Sequence, residues 1–212
     1  TINIRFSAFP EFVSGTSKII YSSFYKKWFA ISTGVVPIQL LQSLDGLIWT
    51  TVFTNIDYFL NGVVVIDNIV LMSSVNGILR STDGITFNVI DSSIVLDIQN
   101  VNNNIYAYAM SSTIISNDKG LTWNTITTKG IKSCDSNNDI VICVTGGQYY
   151  YKNFVEMISF DLSRYLTIKY INDNWFVGGF TDLIRKYDNN FTNLITSSIL
   201  PRQDNFIRVI TS

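Results

Sequence analysis

The feature that most restricts this chain is an eight-residue turn, Ser116-Asn117-Asp118-Lys119-Gly120-Leu121-Thr122-Trp123, and its recurrence along the sequence. A carboxylate two residues after a serine can accept bonds from the backbone N–H groups of a tight turn. A glycine just after it supplies a left-handed conformation, and the closing aromatic returns the chain to an apolar interior. The same arrangement appears at Ser43-Leu44-Asp45-Gly46, leading to Trp49, and at Ser81-Thr82-Asp83-Gly84, leading to Phe87. Reduced copies fall at Asn153 and at Asp188, the latter followed by Thr192. The steps from Asp45 to Asp83, Asp118, Asn153 and Asp188 are 38, 35, 35 and 35 residues. A constant period of this size predicts an array of supersecondary units, each burying its apolar face against the next.

The turn at 116–123 resembles the Asp-box (BNR) repeat of sialidase-like β-propellers, matching it at Ser116, Asp118, Gly120, Thr122 and Trp123. The resemblance implies blades of four antiparallel strands, a to d. Within each period the residues agree. An extended segment meets an Asn-, Asp- or Lys-rich tip, at Lys26-Lys27, Asp67-Asn68, Asn103-Asn104, Asn137-Asn138-Asp139 and Asn172-Asp173-Asn174. Asn and Asp tolerate the positive φ that such hairpins need. After each tip comes a continuous apolar run, as in Ile69–Met72 and Ile140–Val144, predicting a strand covered on both faces.

The chain is therefore expected to be all-β, a six-bladed propeller occupying one domain over residues 1–212. The blades fall at 18–54, 62–91, 94–128, 130–161 and 165–196, with a split blade formed by 198–212 together with 1–13. Ser7 lies 36 residues before Ser43, which is the repeat period and motivates the split. Five blades is the alternative.

Composition excludes several functions. There is no histidine, which removes Ser-His-Asp and Cys-His nucleophiles and His-ligated zinc. A net charge of −1, with no run of Lys or Arg, gives no footprint for nucleic acid. No apolar stretch reaches 18 residues, so no membrane insertion is expected, and no signal peptide is visible at the start. No cofactor and no metal are expected. Cys134 and Cys143 fall on adjacent strands of one hairpin, where two buried thiols are favoured over a disulfide because the bridge geometry is demanding.

The Asp-turn residues Ser43, Asp45, Gly46, Trp49, Ser81, Asp83, Gly84, Phe87, Ser116, Asp118, Gly120, Thr122, Trp123 and Asp188 are expected to be structural, not catalytic. The resemblance implies sialidases as one activity, in which three arginines clamp a substrate carboxylate beside a Tyr–Glu nucleophile pair. The six arginines here, Arg5, Arg80, Arg164, Arg185, Arg202 and Arg208, include none in the Arg-Ile-Pro motif of those enzymes, and Glu11 and Glu156 fall in turn or strand positions. No catalytic residue is assigned. The expectation is a non-enzymatic binding or structural propeller, extracellular or on a viral or phage particle, whose partner is a protein assembly or a glycan. Its contacts are placed at Tyr58, Gln148, Phe180 and Asp182, on the connections between strands b and c and between d and a. The alternatives are a sialidase-type glycoside hydrolase and a protein-docking assembly factor like the photosystem-assembly proteins that carry similar repeats.

Overall fold

The computed structural model describes residues 16–32, 37–54, 59–127, 130–137, 139–145, 149–153, 155–158, 165–179 and 183–199. Among them there are twenty strands and no helix. The absence of helix follows from a sequence poor in Ala, Glu, Lys and Arg and rich in β-branched and aromatic residues.

The strands form five four-stranded sheets, each built from sequence-consecutive strands joined by short connections. The first comprises β1 (Thr16–Ser22), β2 (Lys27–Ser32), β3 (Gln39–Ser43) and β4 (Thr50–Thr54). The second comprises β5 (Leu60–Ile66), β6 (Ile69–Ser74), β7 (Gly77–Ser81) and β8 (Asn88–Asp91). The third comprises β9 (Asp97–Val101), β10 (Asn104–Tyr108), β11 (Thr113–Ser116) and β12 (Asn124–Thr127). The fourth comprises β13 (Ser133–Ser136), β14 (Val141–Val144), β15 (Tyr149–Lys152) and β16 (Val155–Ile158). The fifth comprises β17 (Tyr165–Ile171), β18 (Asn174–Gly179), β19 (Leu183–Tyr187) and β20 (Leu194–Ile199). The antiparallel four-strand plan expected from the repeat is what the described residues adopt. Ser198 and Ile199 pair with Ile184 and Leu183 in the fifth sheet. The remaining residues of the expected split blade, 200–212 and 1–13, lie outside the described residues.

Hairpin chemistry sets the register. In β9–β10, Val101 pairs with Asn104 across Asn102 and Asn103, at φ 50° and 60°. In β17–β18, Ile171 pairs with Asn174 across Asn172 and Asp173, at φ 48° and 60°. Two successive residues at positive φ match the twist of the flanking strands. The tips at Lys26 and Asp67 also hold positive φ, 55° and 50°. Lys27, Asn104 and Asn174, expected in the tips, instead open β2, β10 and β18.

By contact the chain divides into two compact units. One is Thr1–Ala109 with Ile115–Trp123, and the other is Met110–Ile114 with Asn124–Ser212. The core of the first lies between the first two sheets, where Phe29, Ile31 and Leu40 meet Leu60, Val63, Val70, Met72 and Leu79. β6 is buried at all six positions, as its continuous apolar run requires of a strand covered on both faces. The core of the second unit gathers Ile142, Val144, Ile168, Trp175, Val177, Tyr187 and Phe191.

One expectation needs correction. Cys134 and Cys143 are not free thiols but a disulfide, with Cα atoms 4.1 Å apart. They stand directly opposite each other in the β13–β14 register, so the pairing itself delivers the two Cβ atoms to bonding distance.

Candidate docking surface on the Asp turns

Each intact Asp turn is closed by the same bonds. In the first, Gly46 N donates to Ser43 Oγ at 2.9 Å, and Leu47 N and Ile48 N donate to Asp45 Oδ1 at 2.8 and 2.9 Å. In the second, Gly84 N donates to Ser81 Oγ at 2.9 Å, while Ile85 N and Thr86 N reach Asp83 Oδ1 at 2.8 and 2.7 Å. In the third, Gly120 N donates to Ser116 Oγ at 2.7 Å, and Leu121 N and Thr122 N reach Asp118 Oδ1 at 3.0 and 2.9 Å. The third has one more residue, Lys119, at φ 58° beside Gly120 at φ 83°, and the Thr122 hydroxyl adds a bond to Asp118 Oδ2 at 2.6 Å. The Asp188 turn keeps the carboxylate half of this scheme, with Thr192 N and Oγ1 donating to Asp188 at 2.7 and 2.8 Å. At Asn153 only a backbone-like substitute survives, in which Val141 N donates to Asn153 Oδ1 at 2.8 Å.

These bonds favour the charged carboxylate and shift its titration. The N–H groups of Ile48 and Leu47 and the Ser43 hydroxyl hold the Asp45 carboxyl below its ordinary value. Those of Ile85 and Thr86, with the Ser81 hydroxyl, hold Asp83 well below the usual carboxylate range. The Thr122 hydroxyl and N–H, then Ser116, bring Asp118 to about 2. At Asp188 burial pushes upward, but Thr192 and Asn193 outweigh it and the carboxyl also falls to about 2. Depressed carboxyls contribute stability that is complete above their unfolded value near 3.9 and is lost as pH falls through the folded value. Thermal melts should therefore show a midpoint that drops between about pH 4 and pH 2. In Asp118→Asn the drop should be shallower over that interval. An identical acid slope in variant and parent would mean that Asp118 is not held by its turn.

The hairpin tips lie at the same end of their sheets as the Asp turns, and in the first unit they lock neighbours together. Tyr25, beside the first tip, donates its hydroxyl to Asn68 O at 2.6 Å and reaches Thr82 O at 3.3 Å, both in turns of the second sheet. Its phenol titrates above its ordinary value, through burial and then the Asp83 charge. Lys119 pairs with Asp67 at 2.6 Å, and Arg80 Nε donates to Lys119 O at 3.1 Å. A Cβ on Gly120 would lie 2.8 Å from Leu71 Cδ2, so this turn seats directly on the second sheet. In the second unit the Asn137 amide grips Asn189 and Lys152 holds Asn190 O at 2.8 Å.

What this scaffold displays is apolar. Leu47, Ile85 and Leu121 each follow the turn glycine, donate their N–H inward to the Asp, and stand 65%, 67% and 63% exposed. Leu44, Ile48 and Phe24 add exposed apolar area to the first sheet at the same end. A groove of about 290 Å³ runs beside the first turn, lined by Lys27, Gln42, Leu44, Asp45 and Ile48 among others. The turn bonds explain why the backbone is held here. They place no demand on the side chain, and polar residues would satisfy the fold equally well. Exposed apolar groups repeated at one end of successive sheets offer a contact surface.

The Asp-turn residues expected to be structural all sit within these turns, with Ser43, Ser81 and Ser116 buried. The closing aromatics Trp49, Phe87 and Trp123 are half-buried, not interior. Tyr58, Gln148, Phe180 and Asp182, expected as contacts, all lie outside the described residues. The exposed aliphatics were not singled out from sequence, because an apolar residue in a turn reads there as core. The signal was available in the repeat, since the residue after each turn glycine is Leu or Ile in three consecutive copies. Arg80 lies on β7 and Arg185 on β19. Among the described residues no three His, Cys, Asp or Glu cluster as a metal site, and no helix is long and apolar enough to cross a membrane.

No family model matches the chain, and no curated protein matches it in sequence. Its structure is similar to one from a nidogen/laminin complex, with a TM-score of 0.65 and 12% identity over 90% of this chain and 82% of that one. It is similar to YCF48 bound to D1 peptide, at 0.65 and 14% over 87% of this chain and 66% of that one. YCF48 from Cyanidioschyzon merolae gives 0.62 and 14%, over 86% and 70%. At such identities the likeness concerns architecture alone. That architecture is the β-propeller, with which the 35-residue period and the five four-stranded sheets agree.

Proposed function

We propose that this chain is a non-enzymatic propeller that binds another protein, and that the Asp-turn end of its first unit makes the contact. The observation carrying this reading is the equal exposure of Leu47, Ile85 and Leu121 on three rigid turns. A surface already ordered by backbone-to-carboxylate bonds loses little further entropy on binding. Its aliphatic groups fit an apolar protein segment better than a sugar, whose hydroxyls need polar partners. Two of the similar structures are of complexes, nidogen with laminin and YCF48 with a D1 peptide, which supports a protein as the partner class.

Against hydrolysis stands the chemistry of the turns. Asp45, Asp83 and Asp118 are engaged by their own backbone and titrate too low to serve as acids near neutrality. Arg80 is directed to the Lys119 carbonyl, not to a shared pocket.

The test is a triple variant, Leu47→Ser, Ile85→Ser and Leu121→Ser, compared with the parent in quantitative capture of proteins from the native source. Surface substitutions of this kind cost about 0.5 kcal/mol or less each. The variant should keep its melting behaviour and lose at least about tenfold in recovery of the specifically retained partner, since each buried aliphatic group contributes about 1.5–3 kcal/mol. Undiminished recovery by a folded variant would remove the turn end as the contact.

A further inference from the structure

Asn190-Phe191-Thr192 is the one Asn-x-Ser/Thr triplet among the 21 asparagines of the whole sequence. The fold presents it on the Asp188 turn between β19 and β20, with Asn190 exposed. We propose that Asn190 is an acceptor for N-linked glycosylation. The triplet is the acceptor signal of that reaction, which needs a surface loop and the secretory environment. Two features beyond the triplet support the assignment.

The first is availability. The neighbouring asparagines are engaged: Asn189 accepts from the Tyr170 hydroxyl and the Asn137 amide, and the Asn193 amide donates to Asp188 Oδ2 at 2.7 Å. Asn190 is tied through its backbone alone, its carbonyl accepting from Lys152 at 2.8 Å. An oligosaccharide on its side chain displaces no bond of the turn. The second is the Cys134–Cys143 disulfide in the same unit. Such bonds form and persist in oxidising compartments, and the endoplasmic reticulum lumen, where the transfer takes place, is one of them.

The chemistry is a glycosyl transfer from a lipid-diphosphate oligosaccharide. The Asn190 amide nitrogen forms a bond to the sugar C1, the C1–O bond to diphosphate breaks, and the lipid diphosphate leaves. The amide proton passes to a base of the transferase, and nothing is oxidised or reduced.

The turn also sets the timing. Once closed, it commits the Thr192 hydroxyl and N–H to Asp188 and buries Phe191 to 1% exposure at φ 55°. The hydroxyl that the transferase must read is then occupied, so modification precedes closure of this turn. Asp188→Ala, which frees Thr192, should raise occupancy.

The experiment directs the full chain through the secretory pathway of eukaryotic cells with an added leader and reads intact mass before and after peptide N-glycosidase. The expected result is an oligosaccharide mass increment that the glycosidase removes, leaving aspartate at 190. The increment should vanish in Asn190→Gln and Thr192→Val, persist in Thr192→Ser, and reach higher occupancy in Asp188→Ala. Asn190→Gln should keep the parent's melting midpoint, so its loss of the increment is not loss of fold. An unmodified Asn190 in the secreted parent chain, or in protein isolated from its own source, would overturn the assignment. So would an increment that survives Asn190→Gln.

Discussion

Trp175→Ala should be the most damaging single substitution in the second unit, costing about 3–5 kcal/mol of unfolding free energy. The indole is fully buried and stands among Ile142, Val144, Ile168, Val177, Tyr187 and Phe191. It packs against Tyr170 at 5.0 Å and Phe191 at 5.9 Å between ring centroids, and its Nε1 donates to Asn189 O at 2.9 Å. Truncation leaves a cavity that close-packed β-strands cannot collapse, and it removes a donor from a turn carbonyl. Equilibrium denaturation would measure the loss. Trp123→Ala should cost less, since that side chain is half-buried although it closes the best-formed Asp turn. A Trp175 loss smaller than the Trp123 loss would show that the core of this unit is centred elsewhere.

Gly77→Ala is expected to be the most damaging small change in the first unit, on the order of 3 kcal/mol. Gly77 opens β7 at φ 137°, and a Cβ there would stand 2.4 Å from the Asp91 carbonyl oxygen. That oxygen belongs to the backbone of β8, opposite Ile78 in the ladder, so it cannot move aside without disturbing the pairing. Gly46→Ala provides the contrast. Its φ of 77° is also unfavourable to alanine, but the nearest atom to a new Cβ is Trp28 Nε1 at 3.6 Å. It should cost only the left-handed penalty, about 1–2 kcal/mol. Equal losses at the two positions would mean that the steric contact at Asp91 is relieved in solution.

Much of this architecture was legible because turn chemistry repeats more faithfully than strand sequence. Ser, Asp and Gly at fixed offsets have one economical explanation, and the bonds at Asp45, Asp83 and Asp118 supply it. Asn-rich tips likewise announced hairpins, with errors of one residue at Lys27, Asn104 and Asn174, each of which opens a strand beside a residue at positive φ. Side-chain fate was less legible. Trp123 stood out by motif yet is half-buried, whereas Trp175 lies in a run without motif and is the centre of its core. Motif aromatics close turns at the end of a sheet, while the interior belongs to strands covered on both faces. The disulfide depended on register, since shifting β13 against β14 by one residue would end the direct opposition of Cys134 and Cys143. Exposure at Leu47, Ile85 and Leu121 depended on which way each turn faces, a property of backbone bonding that hydropathy does not carry.

The claim that the Asp-turn end binds protein is tested most directly by position-specific photo-crosslinking in the native source. A photoreactive residue placed singly at Leu47, Ile85 or Leu121 should join the chain to one common protein, with contacts confined to an apolar segment of it. The same residue at Ile94, also exposed but on the connection between β8 and β9 at the other end of the sheet, serves as the control and should give no such product. Crosslinking from Ile94 with none from the three turn positions would contradict the account.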